Sequence, residues 1–148
     1  MFKKILLPID NSELSEKAGE YAIASADLNG AKIIVLHVID TSYLNSIPQQ
    51  DLKDKLDKQL RKEGKEAVHN FKRVIEDEKC AGNCKNIKLL TLIKKGKPED
   101  VILETADELG VDHIVMGKSG KHNLEKFIVG STTERVVRGA KVPVNVIS

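Results

Sequence analysis

Three glycines and one hydroxyl carry the chemistry that is most specific in this chain. Gly117, Gly120, Gly130 and Ser131 stand in the pattern G-x2-G-x9-G-S, within GKSGKHNLEKFIVGS. The stretch lies between the apolar run Ile114-Val115-Met116 and a helix-like segment that opens at Ser131. A glycine-rich turn that leaves a strand and meets a helix start exposes backbone N–H groups to anions, phosphate above all. Gly117 and Gly120 allow backbone conformations with positive φ and let a ligand approach with no Cβ in the way. Lys118 and Lys121 flank the turn and could neutralise phosphate charge, or could be ordinary solvated lysines. Ser131 also has two readings. In Ser131-Thr132-Thr133-Glu134 it starts a capping box, so its hydroxyl could cap its own helix or touch phosphate.

A second polar group stands at the end of the first apolar run. Asp10 follows KKILLPI directly and could orient a ribose, help hold a magnesium ion whose main ligands are phosphate oxygens, or cap the helix that follows. The histidines point elsewhere. His122 has no neighbouring nucleophile and reads as a surface residue, while His37 and His113 alternate with apolar neighbours and read as satisfied structural residues. Cys80 and Cys84, the only cysteines, form a C-x3-C pair with no second pair to complete a metal set; His69 is the closest histidine. Two reduced loop thiols, or a reversible thiol switch, are the readings left open. G-x4-G-K-[ST] and G-x-G-x-x-G are both absent, which argues against a P-loop NTPase and a Rossmann dehydrogenase. Asp10 lacks the acidic neighbour of a receiver domain.

The elements that must place these residues follow from hydrophobic periodicity. Lys3 to Ile9, Lys32 to Val38, Ile87 to Ile93, Asp112 to Met116 and Val142 to Ile147 read as five strands, several with unbroken apolar cores that call for burial on both faces. Asp10, Asn11 and Ser12 offer caps to a helix running to about Leu28, with Leu14, Ala18, Tyr21, Ala22 and Ala26 inward. Residues 39 to 50 read as a loop. From Asp51 a long helix is expected with Leu52, Leu56, Leu60, Ala67, Phe71, Val74 and Ile75 on one face, interrupted but not ended by Gly64. A further helix opens at Gly96-Lys97-Pro98-Glu99-Asp100 and stops at Gly110. The last runs from about Ser131 to Arg138. Alternating strands and helices predict an α/β sandwich around a parallel sheet, one domain over residues 1–148, with ligands beyond the carboxyl ends of the strands where strand order reverses. Asp10, Val38 and Gly117 all fall at or just past such ends.

Composition narrows the partners. A chain of 148 residues can bury a real core. With 24 basic and 22 acidic side chains, the net charge of +2 selects no partner. Only residues 118–141, with six Lys or Arg and two Glu, carry a local basic excess suited to an anion. Trp is absent and aromatics are 3%, so nucleic-acid stacking platforms are missing. The apolar run of MFKKILLPID is too short for a signal peptide or membrane span, and a cytoplasmic location is expected.

KKILLPIDNSELS, LHVID and DHIVMGKSG…GSTTERVVRGAKVPVNVI together resemble the universal stress protein family, and the likeness spans nearly the whole chain. The family's ATP-binding branch is marked by G-x2-G-x9-G-[ST], met here by Gly117, Gly120, Gly130 and Ser131, and by P-x-D, met by Pro8 and Asp10. The resemblance implies a three-layer, Rossmann-like fold of the adenine nucleotide alpha hydrolase type, with strand order 3-2-1-4-5. It further implies that Pro8, Asp10 and Val38 line an adenine and ribose pocket. Met116, Gly117, Lys118, Ser119, Gly120 and Lys121 would wrap ribose and phosphates, and Gly130, Ser131 and Thr132 would hold the terminal phosphates. Position 132 is Thr where Val is frequent in the family. The implied ligand is ATP with Mg or Mn, the implied assembly a homodimer through the C-terminal strand, and the implied role a nucleotide-dependent sensor or regulator. Slow Mg-dependent ATP hydrolysis and a nucleotide-free interaction module are the alternatives. No general base or arginine finger stands out in the sequence, so any turnover is expected to be weak.

Overall fold

The computed structural model describes residues 2–10, 13–80, 82, 85–118 and 129–148. Five strands and five helices follow one another: β1 Lys4–Pro8, α1 Glu13–Asn29, β2 Lys32–Asp40, α2 Thr41–Asn45, α3 Gln50–Cys80, β3 Lys88–Gly96, α4 Pro98–Glu108, β4 His113–Gly117, α5 Ser131–Gly139 and β5 Val144–Ile147. All neighbouring strands are parallel, in the order β3-β2-β1-β4-β5. This is the expected three-layer α/β arrangement. The caps expected of Asn11 and Ser12, the side chain of Leu14, and Cys84 lie outside the described residues.

Ile5, Leu6 and Leu7 of β1 and Ile33 to Leu36 of β2 are buried, as unbroken apolar runs require of strands covered on both faces. Alternation divides them between two cores. Ile5, Leu7, Ile33, Val35 and Val115 pack with Ala18, Ala22 and Ala26 of α1 and with Ala67, Val68 and Ile75 of α3. Leu6, Ile34, Leu36, Ile114 and Met116 pack with Val101, Ile102 and Ala106 of α4 and Val136 of α5. At the amino end of the sheet Asp112 ties two strands together, its carboxylate accepting from Lys3 N (2.9 Å) and Lys4 N (3.3 Å).

Four local expectations change. The stretch read as a loop contains α2, capped by Asp40, whose carboxylate accepts from Ser42 N at 2.9 Å; one turn is too short to show a helical period. The face of α3 holds at Ala67, Phe71 and Ile75, as expected, and also includes Val68, but Leu52 and Val74 are half exposed. Thirty-one residues make α3 about 46 Å long, more than the nine residues of β3 can cover. Tyr21 is 42% exposed rather than inward, and its hydroxyl accepts from Asn145 Nδ2 of β5. β5 starts at Val144, and the Pro143 carbonyl accepts from Ile114 N, so proline stands at the entry of an edge strand where its missing donor costs nothing.

His113 departs most from expectation. It is 1% exposed, stacks on Phe2 with ring centroids 4.0 Å apart, and neither ring nitrogen has a hydrogen-bond partner among the described residues. Burial holds its imidazole below the ordinary 6.5, against the opposing influence of Asn145 and Asp112. The folded chain therefore keeps a neutral ring where the unfolded chain takes a proton. Stability is complete above about pH 6.5 and falls as pH drops below it, by at most about 1.4 kcal/mol per pH unit for one proton. Urea midpoints of His113→Leu, a neutral side chain of similar volume, are expected to lose this part of the slope between pH 7 and 5. An unchanged slope would assign the acid sensitivity to other groups.

Candidate functional site

The strand order reverses between β1 and β4, and in such sheets ligands sit in a crevice beyond the carboxyl ends of the strands, here those of β1, β2 and β4. Alternation within the strands puts Pro8 on the same face as Leu6, Val38 with Leu36, and Met116 with Ile114, all toward α4 and α5. Pro8 pairs in register with Leu36. Met116 is buried, while Pro8, Asp10 and Val38 are half-buried. Pro8, Val38 and Met116 thus share one face of the sheet at the carboxyl ends of three strands, with Asp10 two residues past Pro8.

The turn after β1 is pinned from three sides. Ile9 N donates to Leu36 O (2.9 Å), Asp10 N donates to Ser15 Oγ (3.1 Å), and His37 Nδ1 donates to Ile9 O (3.0 Å). Because a carbonyl can only accept, Nδ1 carries the proton in this bond. His37 is buried at 7% exposure and points to the opposite face from Val38, toward α3. There Gly64 makes room for it: a Cβ at position 64 would stand 2.6 Å from His37 Cδ2. The glycine that interrupts the pattern of α3 is therefore the site of closest approach between α3 and the histidine that steadies the Asp10 turn. His37 is a satisfied structural residue, as expected, and its tie to this turn was not visible in the sequence.

On the other side of the crevice, β4 and α5 are joined by backbone. Gly117 pairs with Ile147 and its carbonyl accepts from Thr133 Oγ1 at 2.9 Å. Lys118 N donates to Ile147 O (2.8 Å), and Gly130 N donates to Lys118 O (2.9 Å). The segment that leaves at Lys118 thus returns beside it at Gly130. Ser119, Gly120 and Lys121, and His122 with them, lie outside the described residues. Gly117 is not among the glycines with positive φ, which are Gly30, Gly82, Gly96 and Gly110 in the described residues. The freedom that glycine allows is not used at Gly117, which is the last residue of an extended strand.

The capping-box expectation fails. Gly130, at φ −62° and ψ 152°, is the N-cap and makes no side-chain cap bond. Ser131 is the first helical residue and is exposed, and Glu134 turns to Arg138 (2.8 Å) instead of reaching back. Glu134 N donates to Gly130 O at 2.9 Å, the first bond of the helical ladder. The N–H groups of Ser131, Thr132 and Thr133 precede that ladder and have no partner among the described residues. Three free donors and the positive end of the helix dipole make this an anion-binding geometry.

The basic excess around it is thinner than the sequence suggests. Arg135 pairs with Glu99 (2.6 Å), Arg138 with Glu134, and Lys141 with Asp107 (3.7 Å), while Lys118 makes no ion pair among the described residues. Glu99 is 7% exposed, a buried acid in the first turn of α4 that sequence reasoning treated only as a helix-start residue. Thr133 was likewise missed: its hydroxyl bonds a carbonyl sixteen residues away, a contact with no local pattern. No group of three or more His, Cys, Asp or Glu able to hold a metal occurs among the described residues, and none of their helices is long and apolar enough to cross a membrane.

Comparison with known proteins agrees with this architecture. The profile of the universal stress protein family matches residues 1–148. Universal stress protein MJ0531 of Methanocaldococcus jannaschii is 33% identical over 147 residues, covering 99% of this chain and 82% of its own. MJ0577 from the same organism is 32% identical over 161 residues, covering 99% and 95%. The solved structure of MJ0577 superposes with a TM-score of 0.86, covering 99% of this chain and 96% of that one. A universal stress protein family member from Arabidopsis thaliana, solved with AMP bound, shares the fold at a TM-score of 0.67 and 20% identity, covering 98% and 90%.

The packing of Gly64 on His37 predicts the sign of a substitution. Alanine in place of glycine within a helix gains about 1 kcal/mol in propensity. Gly64→Ala is nonetheless expected to lose stability by about 1–3 kcal/mol in chemical denaturation, because the added methyl must displace a buried ring. A more stable variant would show that the approach is not tight.

Proposed function

The chain belongs to the universal stress protein family, and from that premise we propose that it is a cytoplasmic adenine-nucleotide-binding protein whose ligand is ATP with Mg or Mn. One observation carries the reading: the free N–H groups at the start of α5 are held beside the end of β4 by the Gly130–Lys118 backbone bond, at the reversal point of the sheet. Pro8, Asp10 and Val38 line the adenine and ribose. Met116, Gly117, Lys118, Ser119, Gly120 and Lys121 wrap ribose and phosphates, and Gly130, Ser131 and Thr132 receive the terminal phosphates. A family member solved with AMP bound supports an adenine nucleotide as the ligand class. A magnesium ion bound mainly through phosphate oxygens and water needs only one or two carboxylates, and Asp10 is the one at the end of β1.

The site binds rather than turns over. Its described groups are backbone donors, apolar walls, one carboxylate and one lysine, with no base placed to activate water. Nucleotide binding orders the phosphate side of the crevice and changes the surface offered to a partner, which is the working of a regulator in stress response. The edge position of β5, with Val146 at 38% exposure, supports a homodimer through this strand.

Protein purified without added ligand, then denatured, is expected to release adenine nucleotide. Mg-ATP at about a hundred times its Kd is expected to add about 2.7 kcal/mol of stability. Gly130 has an ordinary extended conformation, so Gly130→Val is expected to fold while its branched side chain fills the phosphate space and abolishes the thermal shift. A folded variant with unchanged ATP affinity would remove Gly130 from the site, and a wild-type protein indifferent to millimolar Mg-ATP would end the nucleotide reading. In sedimentation, Val146→Lys is expected to convert a dimer to a monomer; a dimer that persists would place the interface elsewhere.

A further inference from the structure

We propose that Glu99 and Arg135 form a positioning pair that aims the first turn of α5 at bound phosphate. This rests on the nucleotide reading and adds to it two residues outside the G-x2-G-x9-G-S pattern. α5 has nine residues, too few to hold a helix by propensity alone, so its axis is set by what it touches. Two of its contacts are directional: Thr133 Oγ1 donates to Gly117 O, and Arg135 Nη1 donates to Glu99 Oε1 at 2.6 Å. A third is steric, since a Cβ at Gly139 would come within 2.7 Å of Leu103 Cδ1 of α4. Arg135 stands one turn after Ser131, on nearly the same side of the helix. The tie to α4 therefore acts close to the free N–H groups, and the Gly139 contact acts at the far end.

The pair is also asymmetric. The Glu99 side chain is 9% exposed and the Arg135 side chain 59%, so the buried acid is the fixed point and the arginine is drawn to it. α4 and α5 both begin at the carboxyl end of the sheet, and both present a positive dipole end. α4 carries Glu99 and Asp100 in its own first turn, whereas the acid in the first turn of α5, Glu134, pairs with Arg138. The arrangement leaves α5 as the helix start that accepts an external anion and uses the acid of α4 to hold it in place.

A direct role for Arg135 as a phosphate cation predicts the opposite outcome from a positioning role. If the arginine served phosphate, Glu99→Gln would release it and tighten ATP binding. For a positioning pair, Glu99→Gln and Arg135→Gln each weaken ATP by about tenfold, the double variant is no weaker than the singles, adenosine affinity is unchanged, and Arg135→Lys restores part of the loss. Calorimetric titration with ATP and with adenosine separates these results, because general destabilisation would move both ligands together. Tighter or unchanged ATP binding in Glu99→Gln overturns the proposal. Should the wild-type protein bind neither ligand, the nucleotide reading fails by itself. Amide exchange at Glu134 and Arg135 then decides the pair, with acceleration of about tenfold expected in Glu99→Gln and an unchanged rate overturning it. Glu99→Gln keeps the shape of the side chain; if it does not fold, Arg135→Lys and Arg135→Gln carry the same two comparisons.

Discussion

β1 has a strand on each side and helices above and below, and Ile5, Leu6 and Leu7 are all fully buried. Chain connections run outward from it in both directions, to β2 and β3 on one side and to β4 and β5 on the other. This divergence is the reversal point of the strand order: β1 is followed by α1, which packs on one face of the sheet, and β4 by α5, which packs on the other. Burial on both faces also makes β1 rigid. A polar residue just past its end, Asp10, is consequently held by backbone and not by the flexibility of a loop, through Ile9 N, Ile9 O and Asp10 N.

Features governed by local periodicity or composition were legible in the sequence. The five strands, their order once the family was seen and the stop of α4 at Gly110 agree with the structure. Features that depend on a distant partner were not. Ser131 and Glu134 have the spacing of a capping box, but the cap went to Gly130, whose N–H is bonded to Lys118 O, and Glu134 found Arg138. His113 looked like a satisfied core histidine because alternation reports burial and says nothing of partners. Gly64 looked like a weak point in α3 because the ring that needs its space is on β2.

The same distinction applies to charge. Counting residues 118–141 suggests a cationic field, yet Arg135, Arg138 and Lys141 each meet a carboxylate. Surface pairs such as Arg138–Glu134 contribute about 0–1 kcal/mol and leave little net potential. For the anion site proposed above, these pairs leave the N–H groups at the start of α5 as fixed, directional donors among the described residues. Fixed donors are specific in direction, and they lose less to salt than exposed lysines do.

The two edges of the sheet differ in a way that limits assembly. β3 carries Lys88, Lys94 and Lys95 along its nine residues, with Lys95 paired to Asp57 and Lys94 bonded to Thr105, whereas β5 is the uncharged VNVI. Lysines along an edge oppose the approach of another strand. If protomers pair through β5 as proposed, the lysine-bearing β3 edge leaves each of them a valence of one, and edge-to-edge growth by that route would stop at the pair.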